Sequence, residues 1–286
     1  MPAALRGQLN SAGVCYLIAR QGPLDSSKAS LYFPFMRRRR KAEKSREERS
    51  PSRSGSRKTS LAQQAKATLR RVQFSSGICL GAFELSPQLT RAQQRALEYW
   101  ILRLPAPLLA RFVRLKITAA EHLAVVRENL FIGSVPGPAQ LLRSTHTHAA
   151  SFIPERYIVL DQALFRRRVE TGRIFYHELC HFLWPRLGNA TRHYFEAEIR
   201  EEFSQGIRGE LGYSAAWRKE KLQRESDGSM KSRSRRWREY VCESFCDTGA
   251  YVLLGRERRP RHSEYTLPRS ARERRSALWS ALLLRS

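Results

Sequence analysis

Cysteine is scarce in this 286-residue chain: there are five, an odd number, and no two form a CxxC pair. That excludes a disulfide scaffold and a cysteine zinc ribbon, and it favours a reducing, cytoplasmic compartment. Long apolar runs are missing as well. No stretch reaches the roughly 18 residues of a membrane-spanning helix. A secretory leader has no good candidate, because the apolar stretch at 13–19 runs straight into Arg20. Acidic residues are outnumbered two to one, 26 against 52 Lys and Arg, for a net charge of +26. No repeat of solenoid length occurs. What the chain does have is 42% hydrophobic residues, enough for a core and too many for a wholly disordered chain.

The charge is unevenly spread. Residues 1–75 hold 17 basic and 4 acidic residues, and 36–58 alone hold 11 and 3 among Ser, Pro and Gly. Such a block repels itself and has little to bury, so residues 1–75 are expected to be a disordered basic N-terminal region. It could touch nucleic acid or another polyanion. That partner is weakly supported, since no aromatic residue in 37–58 offers a platform for base stacking. Met36 is an alternative start. Residues 76–286 are expected to form one domain.

Within that domain Thr90 reads as the N-cap of a helix to about 103, striped by Ala96, Leu97, Trp100, Ile101 and Leu104. Pro105 and Pro107 end it and open a further apolar segment. Residues 133–138 read as a loop and 156–160 as a β-branched strand. A helix is expected over 174–184, stopped by Pro185 and Gly188. Residues 191–205 favour helix. The Gly, Ser, Arg and Lys of 206–236 suggest a long loop. A strong helix follows over 235–254, capped by Gly255, and a terminal one over 270–284.

One motif stands out: His177-Glu178-Leu179-Cys180-His181, an HExxH on an expected helix. Histidines at i and i+4 lie on one face, so both imidazoles can reach one metal ion. Glu178 sits beside them, able to touch a water on that metal without ligating it. Zinc lowers the pKa of such a water towards neutrality, and a neighbouring carboxylate takes the proton. Composition alone, with 7 histidines, would produce this motif in about one such chain in eighty. A His/His/Glu set with one open position suits zinc best.

A catalytic zinc needs a third protein ligand. The best candidate is Glu243, which with Asp247 forms an ExxxD on an apolar helix. There Asp247 could accept the second N–H of a ligating histidine and fix its tautomer. His193 and Glu201 are alternatives; Glu202 lies beside the latter, but no Asp follows at that spacing. Tyr213, Tyr240, Tyr194 and His193 are candidates to stabilise an oxyanion. Cys180, Cys242 and Cys246 read as small core residues.

These residues resemble a gluzincin-type zinc metallopeptidase, the group exemplified by thermolysin, in pairing HExxH with a later ExxxD. The likeness spans about 156–254. It implies an α+β, zincin-like fold, mostly helical with a small sheet, and hydrolysis of a peptide or protein substrate. Zn(2+) would be held by His177, His181 and Glu243, with Glu178 as general base and Asp247 behind a ligand. It also implies an edge strand just before the metal helix, where an extended peptide would pair. The 61 residues between His181 and Glu243 exceed the separation usual in familiar members. Two other readings compete: a DNA-associated, SprT-like protease with His193 as third ligand, and a non-catalytic regulatory protein keeping the zincin fold. Arginines around 233–238 and 256–259 would favour acidic partners.

Overall fold

The computed structural model describes residues 14–16, 77–126, 129–133, 144–225, 234–258 and 262–284. The rest of 1–75, position 36 and residues 134–138 of the loop expected over 133–138 lie outside the described residues, while Gly133 ends a strand. The fold is α+β, mostly helical with a small sheet. Among the described residues no helix is long and apolar enough to cross a membrane.

The main sheet takes strands from β1 (Val14–Tyr16), β2 (Ile78–Leu80), β3 (Phe83–Leu85), β4 (Leu115–Ala120), β8 (Ala149–Phe152) and β9 (Tyr157–Asp161) in the order β1-β8-β9-β4-β3-β2. Strand β9 runs parallel to β4 and antiparallel to β8. All five of its residues are buried, so the run Tyr-Ile-Val-Leu needs no polar alternation. Ile158 and Leu160 face the main core, while Tyr157 and Val159 face a second, smaller cluster with Leu123, Ala150 and Phe152. β9 is therefore an interior strand. The expected edge strand ahead of the metal helix is corrected: pairing on both sides and burial of both faces put β9 inside the sheet. A second, antiparallel sheet joins β5 (His122–Val126), β6 (Asn129–Gly133) and β7 (Ser144–His146) in the order β6-β5-β7.

Helix α1 (Arg91–Ile101) starts with a capping box, Thr90 Oγ1 accepting from Gln93 N–H and Gln93 Oε1 accepting from Thr90 N–H. It buries Leu97, Trp100 and Ile101. After the short α2 (Ala106–Leu109) and strands β4 to β9 comes α3 (Arg168–Leu183), buried at every position from Glu170 onward. The expected helix over 174–184 thus begins six residues earlier than its apolar pattern. Gly172 makes the seat for α1: a Cβ there would lie 2.4 Å from the Trp100 ring. Tyr176 fastens the same contact by donating to the Trp100 carbonyl at 2.8 Å.

Four more helices close the core: α4 (Asn189–Ser204), α5 (Tyr213–Glu225), α6 (Arg235–Leu253) and α7 (Arg269–Leu283). Helix α5 corrects the long loop expected over 206–236. Its buried stripe, Ala215, Arg218, Lys219 and Leu222, is half charged, and the charges are buried because acids elsewhere pair with them. Helices α4, α6 and α7 fall within a few residues of expectation, and Gly255, at φ 52, ends α6 in a left-handed turn.

Behind the core lies a buried ionic cluster. Arg275 of α7 donates Nε–H to Glu202 of α4 at 2.7 Å and Nη1–H to Glu210 at 2.6 Å. Lys219 Nζ stands 3.2 Å from Glu210, and the Tyr240 hydroxyl donates to the same carboxylate at 2.5 Å. Arg275, Glu202 and Glu210 are fully buried.

Candidate metal centre

Helices α3 and α6 face each other with almost no side chain between them at Gly249, where a Cβ would stand 2.4 Å from Cys180 Sγ. That close approach presses the HExxH turn of α3 against the ExxxD turn of α6. His177, Glu178, His181, Glu243 and Asp247 are all buried.

The sequence-expected set comes together around His177. Its Nδ1 lies 2.7 Å from Asp247 Oδ1. Its Nε2 lies 3.0 Å from His181 Nε2 and 3.5 Å from Glu243 Oε2. Asp247 is itself held, its Oδ2 accepting from Ala215 N–H at 3.3 Å. Glu243 Oε1 pairs with Arg218 of α5 at 2.9 Å, while its Oε2 is buried without a hydrogen bond. Glu178 receives the Ser151 hydroxyl of β8 on Oε2 at 2.5 Å, and its Oε1 is buried with no hydrogen bond. The alternatives His193 and Glu201 are exposed on α4, and Glu201 accepts from Gln205 at 2.6 Å. Glu202 belongs to the ionic cluster on Arg275. Of the oxyanion candidates, Tyr240 is committed to Glu210, Tyr194 and His193 are exposed on α4, and Tyr213 is 41% exposed at the start of α5.

Ser151 and Arg218 escaped the sequence reading as partners, and Cys242 and Cys246, read first as small core residues, stand beside His181. Cys246 Sγ lies 3.2 Å and Cys242 Sγ 3.7 Å from His181 Nδ1. The ligand atoms of His177, His181 and Cys246 all lie within 4.8 Å of one another. The available signal was helical spacing, since Cys246 stands at i+3 from Glu243 and so shares its face. Arg218 and Ser151 carried no such signal, their partners being distant in sequence.

The electrostatics follow from burial and from the surplus of acids. Burial opposes charge on His177, but Asp247 and Glu243 outweigh it and lift its pKa to about 10. Burial pushes the Glu178 carboxyl up to about 7, restrained by His177 and by the Ser151 hydroxyl. Burial also raises Glu243, against the pull of Arg218, and with Arg218 it holds His181 well below the usual imidazole range. Three buried carboxylates, Glu178, Glu243 and Asp247, therefore face one guanidinium and two imidazoles. With the imidazoles neutral and the three acids ionised, the set carries two negative charges in excess, which a divalent cation would offset. The residues fit such an ion: nitrogen and oxygen donors converge, and a carboxylate fixes one histidine from behind.

A second cluster of possible ligands, Glu170, His262 and Glu264, already holds a cation. Arg173 stands 2.5 Å from Glu170 and 3.0 Å from Glu264, so it reads as an ion-pair network. No protein-family model, no curated protein and no solved structure matches this chain.

Proposed function

We propose that the protein is a zinc-dependent peptide hydrolase with a zincin-like fold of the gluzincin type. The observation that carries this reading is the buried, acid-rich histidine pair, with the two Nε2 atoms 3.0 Å apart and His177 Nδ1 on Asp247 at 2.7 Å. His177, His181 and Glu243 would hold the ion, and Asp247 would orient His177. Bound there, zinc lowers the pKa of water towards neutrality and polarises a substrate carbonyl.

The chain's own residues supply the rest. Glu178, with Oε1 buried and free of hydrogen bonds, takes the proton of the attacking water on that oxygen and returns it to the leaving amine. Ser151 holds the other oxygen and so sets the direction of the carboxylate. Arg218 neutralises part of Glu243 and keeps its Oε2 turned to His177. The substrate class is a peptide or protein. Contact of the basic N-terminal region with nucleic acid or another polyanion is a separate proposal, and a SprT-like assignment would need His193, which is exposed on α4.

The thiols beside His181 favour a second reading, a non-catalytic regulatory protein with a structural metal. A buried Glu178 with one oxygen unspent weighs against it, because a structural site has no use for a base.

Metal analysis of the purified chain with Glu178→Gln as control separates the two. Equimolar zinc in both, with hydrolysis of an unstructured protein such as casein reduced about 10²–10⁴-fold in the variant, is expected. Hydrolysis unaffected by Glu178→Gln would sink the mechanism, and absence of bound metal would sink the centre.

A further inference from the structure

The two histidines of the HExxH turn are backed by adjacent residues of α6. His177 turns Nδ1 to Asp247 Oδ1 at 2.7 Å, and His181 turns Nδ1 to Cys246 Sγ at 3.2 Å. Their Nε2 atoms face each other at 3.0 Å. The sulfur therefore stands behind His181, away from the nitrogen that faces the candidate ion. Cys246 and His181 are both buried. Cys242, one turn before Cys246 and half-buried, stands farther from the same Nδ1, at 3.7 Å. A neutral imidazole carries one hydrogen, on the nitrogen whose lone pair is not engaged. When both Nε2 lone pairs turn to one ion, both rings carry that hydrogen on Nδ1, and a buried N–H needs an acceptor. Asp247 meets the need at His177. At His181 the group in place is a thiol, whose sulfur accepts weakly.

We infer that Cys246 is a positioning residue: its sulfur accepts the Nδ1–H of His181 and so holds that ring with Nε2 turned to the ion. The inference rests on the metal-centre reading above and adds to it a partner for the second histidine. The sulfur stays a thiol, binds no metal and touches no substrate. The two histidines are thereby unequal. A carboxylate behind a ligating ring raises its basicity, which makes His177 the stronger donor. A neutral sulfur gives little such help, so the ion is held less firmly by His181 than by His177.

Zinc affinity of the full chain, read in competition with a chromogenic chelator, tests this with three substitutions at one position. Serine keeps a hydrogen-bond acceptor, and alanine and valine do not. Cys246→Ser should bind zinc nearly as well as wild type. Cys246→Ala and Cys246→Val should each lose about tenfold, the lower end of the effect of removing a partner from behind a metal ligand. A residue that only fills space would give the reverse order, because serine buries a hydroxyl and the apolar pair does not. That order, or equal losses in all three, would overturn the positioning role and leave the hydrolase reading intact. In the zinc-loaded chain the Nδ1–H proton of His181 should shift in the NMR spectrum of Cys246→Ala, while that of His177 on Asp247 stays in place. An unmoved His181 proton would overturn the hydrogen bond. A loss of affinity confined to Cys242→Ala would give the role to the other thiol and overturn the assignment to Cys246. No zinc bound by the wild type would bring down the metal centre and this inference together. Should Cys246→Ala fail to fold, Cys246→Ser against Cys246→Val carries the same contrast.

Discussion

Two buried clusters of charge share helices α5 and α6, and they are built to different rules. Behind α7, two cations, Arg275 and Lys219, meet two carboxylates, Glu202 and Glu210, and the Tyr240 hydroxyl adds a further donor. Charge is balanced there, although one Glu202 oxygen is left without a hydrogen bond. Between α3 and α6, three carboxylates meet one guanidinium, and the remaining partners are imidazoles that can hold either a proton or a metal. The first cluster is complete and ties α4, α5, α6 and α7 together. The second reaches balance only through protons on His177 and Glu178 or through a bound cation, which is the latitude a binding centre would need.

Breaking the balanced cluster should have the largest effect. Arg275→Met leaves Glu202 buried without a cation and Glu210 with Lys219 alone, and about 3–5 kcal/mol of unfolding free energy should be lost in urea titration. Zinc content of the folded fraction should stay as in wild type; a change there would mean that the clusters are one system. Next is the reciprocal test. Removing metal with a chelator should lower stability by about 2.7 kcal/mol relative to protein held at a free-zinc level a hundred times its dissociation constant. The same treatment should shift Arg275→Met by as much, which a paired melting experiment would show.

Smaller still is Asp247→Ala, which removes the partner of His177 Nδ1. Metal affinity should fall about 10–100-fold in competition with a chromogenic chelator. An unchanged affinity would mean that Asp247 only balances charge. The smallest effect concerns the Arg173 network. Burial favours the neutral acid at Glu170, but His262 and Arg173 overcome it and hold the carboxyl well below the ordinary range. A carboxylate so depressed adds stability that is full above its unfolded pKa of about 4.3 and drains away as pH falls towards the folded value. Between pH 6 and 3 the wild type should lose stability more steeply than Glu170→Gln. Equal slopes would remove Glu170 from the acid response.

What could be read from the sequence differs between the clusters for the same physical reason. His177, Glu178 and His181 declare themselves because HExxH is a pattern of spacing along one helix, and Glu243 with Asp247 repeats that logic on α6. Arg275, Glu202, Glu210 and Lys219 look like surface charges on polar helices, since only a partner far along the chain decides that they are buried. Helix α5 was hidden by the same effect, its inner face carrying Arg218 and Lys219 where an apolar stripe would be sought. Ser151 was invisible because β8 delivers it to Glu178 through sheet register. The strand at β9 was legible as a strand from its β-branched run, but its place inside the sheet depends on which neighbours pair with it.

Gly212 offers a last consequence. A Cβ at that position would lie 2.3 Å from Asp247 Cγ and from Oδ1, the oxygen that meets His177 Nδ1. A single methyl group there acts as a wedge, displacing the carboxylate from its place on His177. In a library of every possible substitution, position 212 should come back nearly as empty as 177 and 181, although its native residue carries no reactive group. Intolerance at position 212 would thus mark the space that the Asp247–His177 contact needs as well as the atoms that make it.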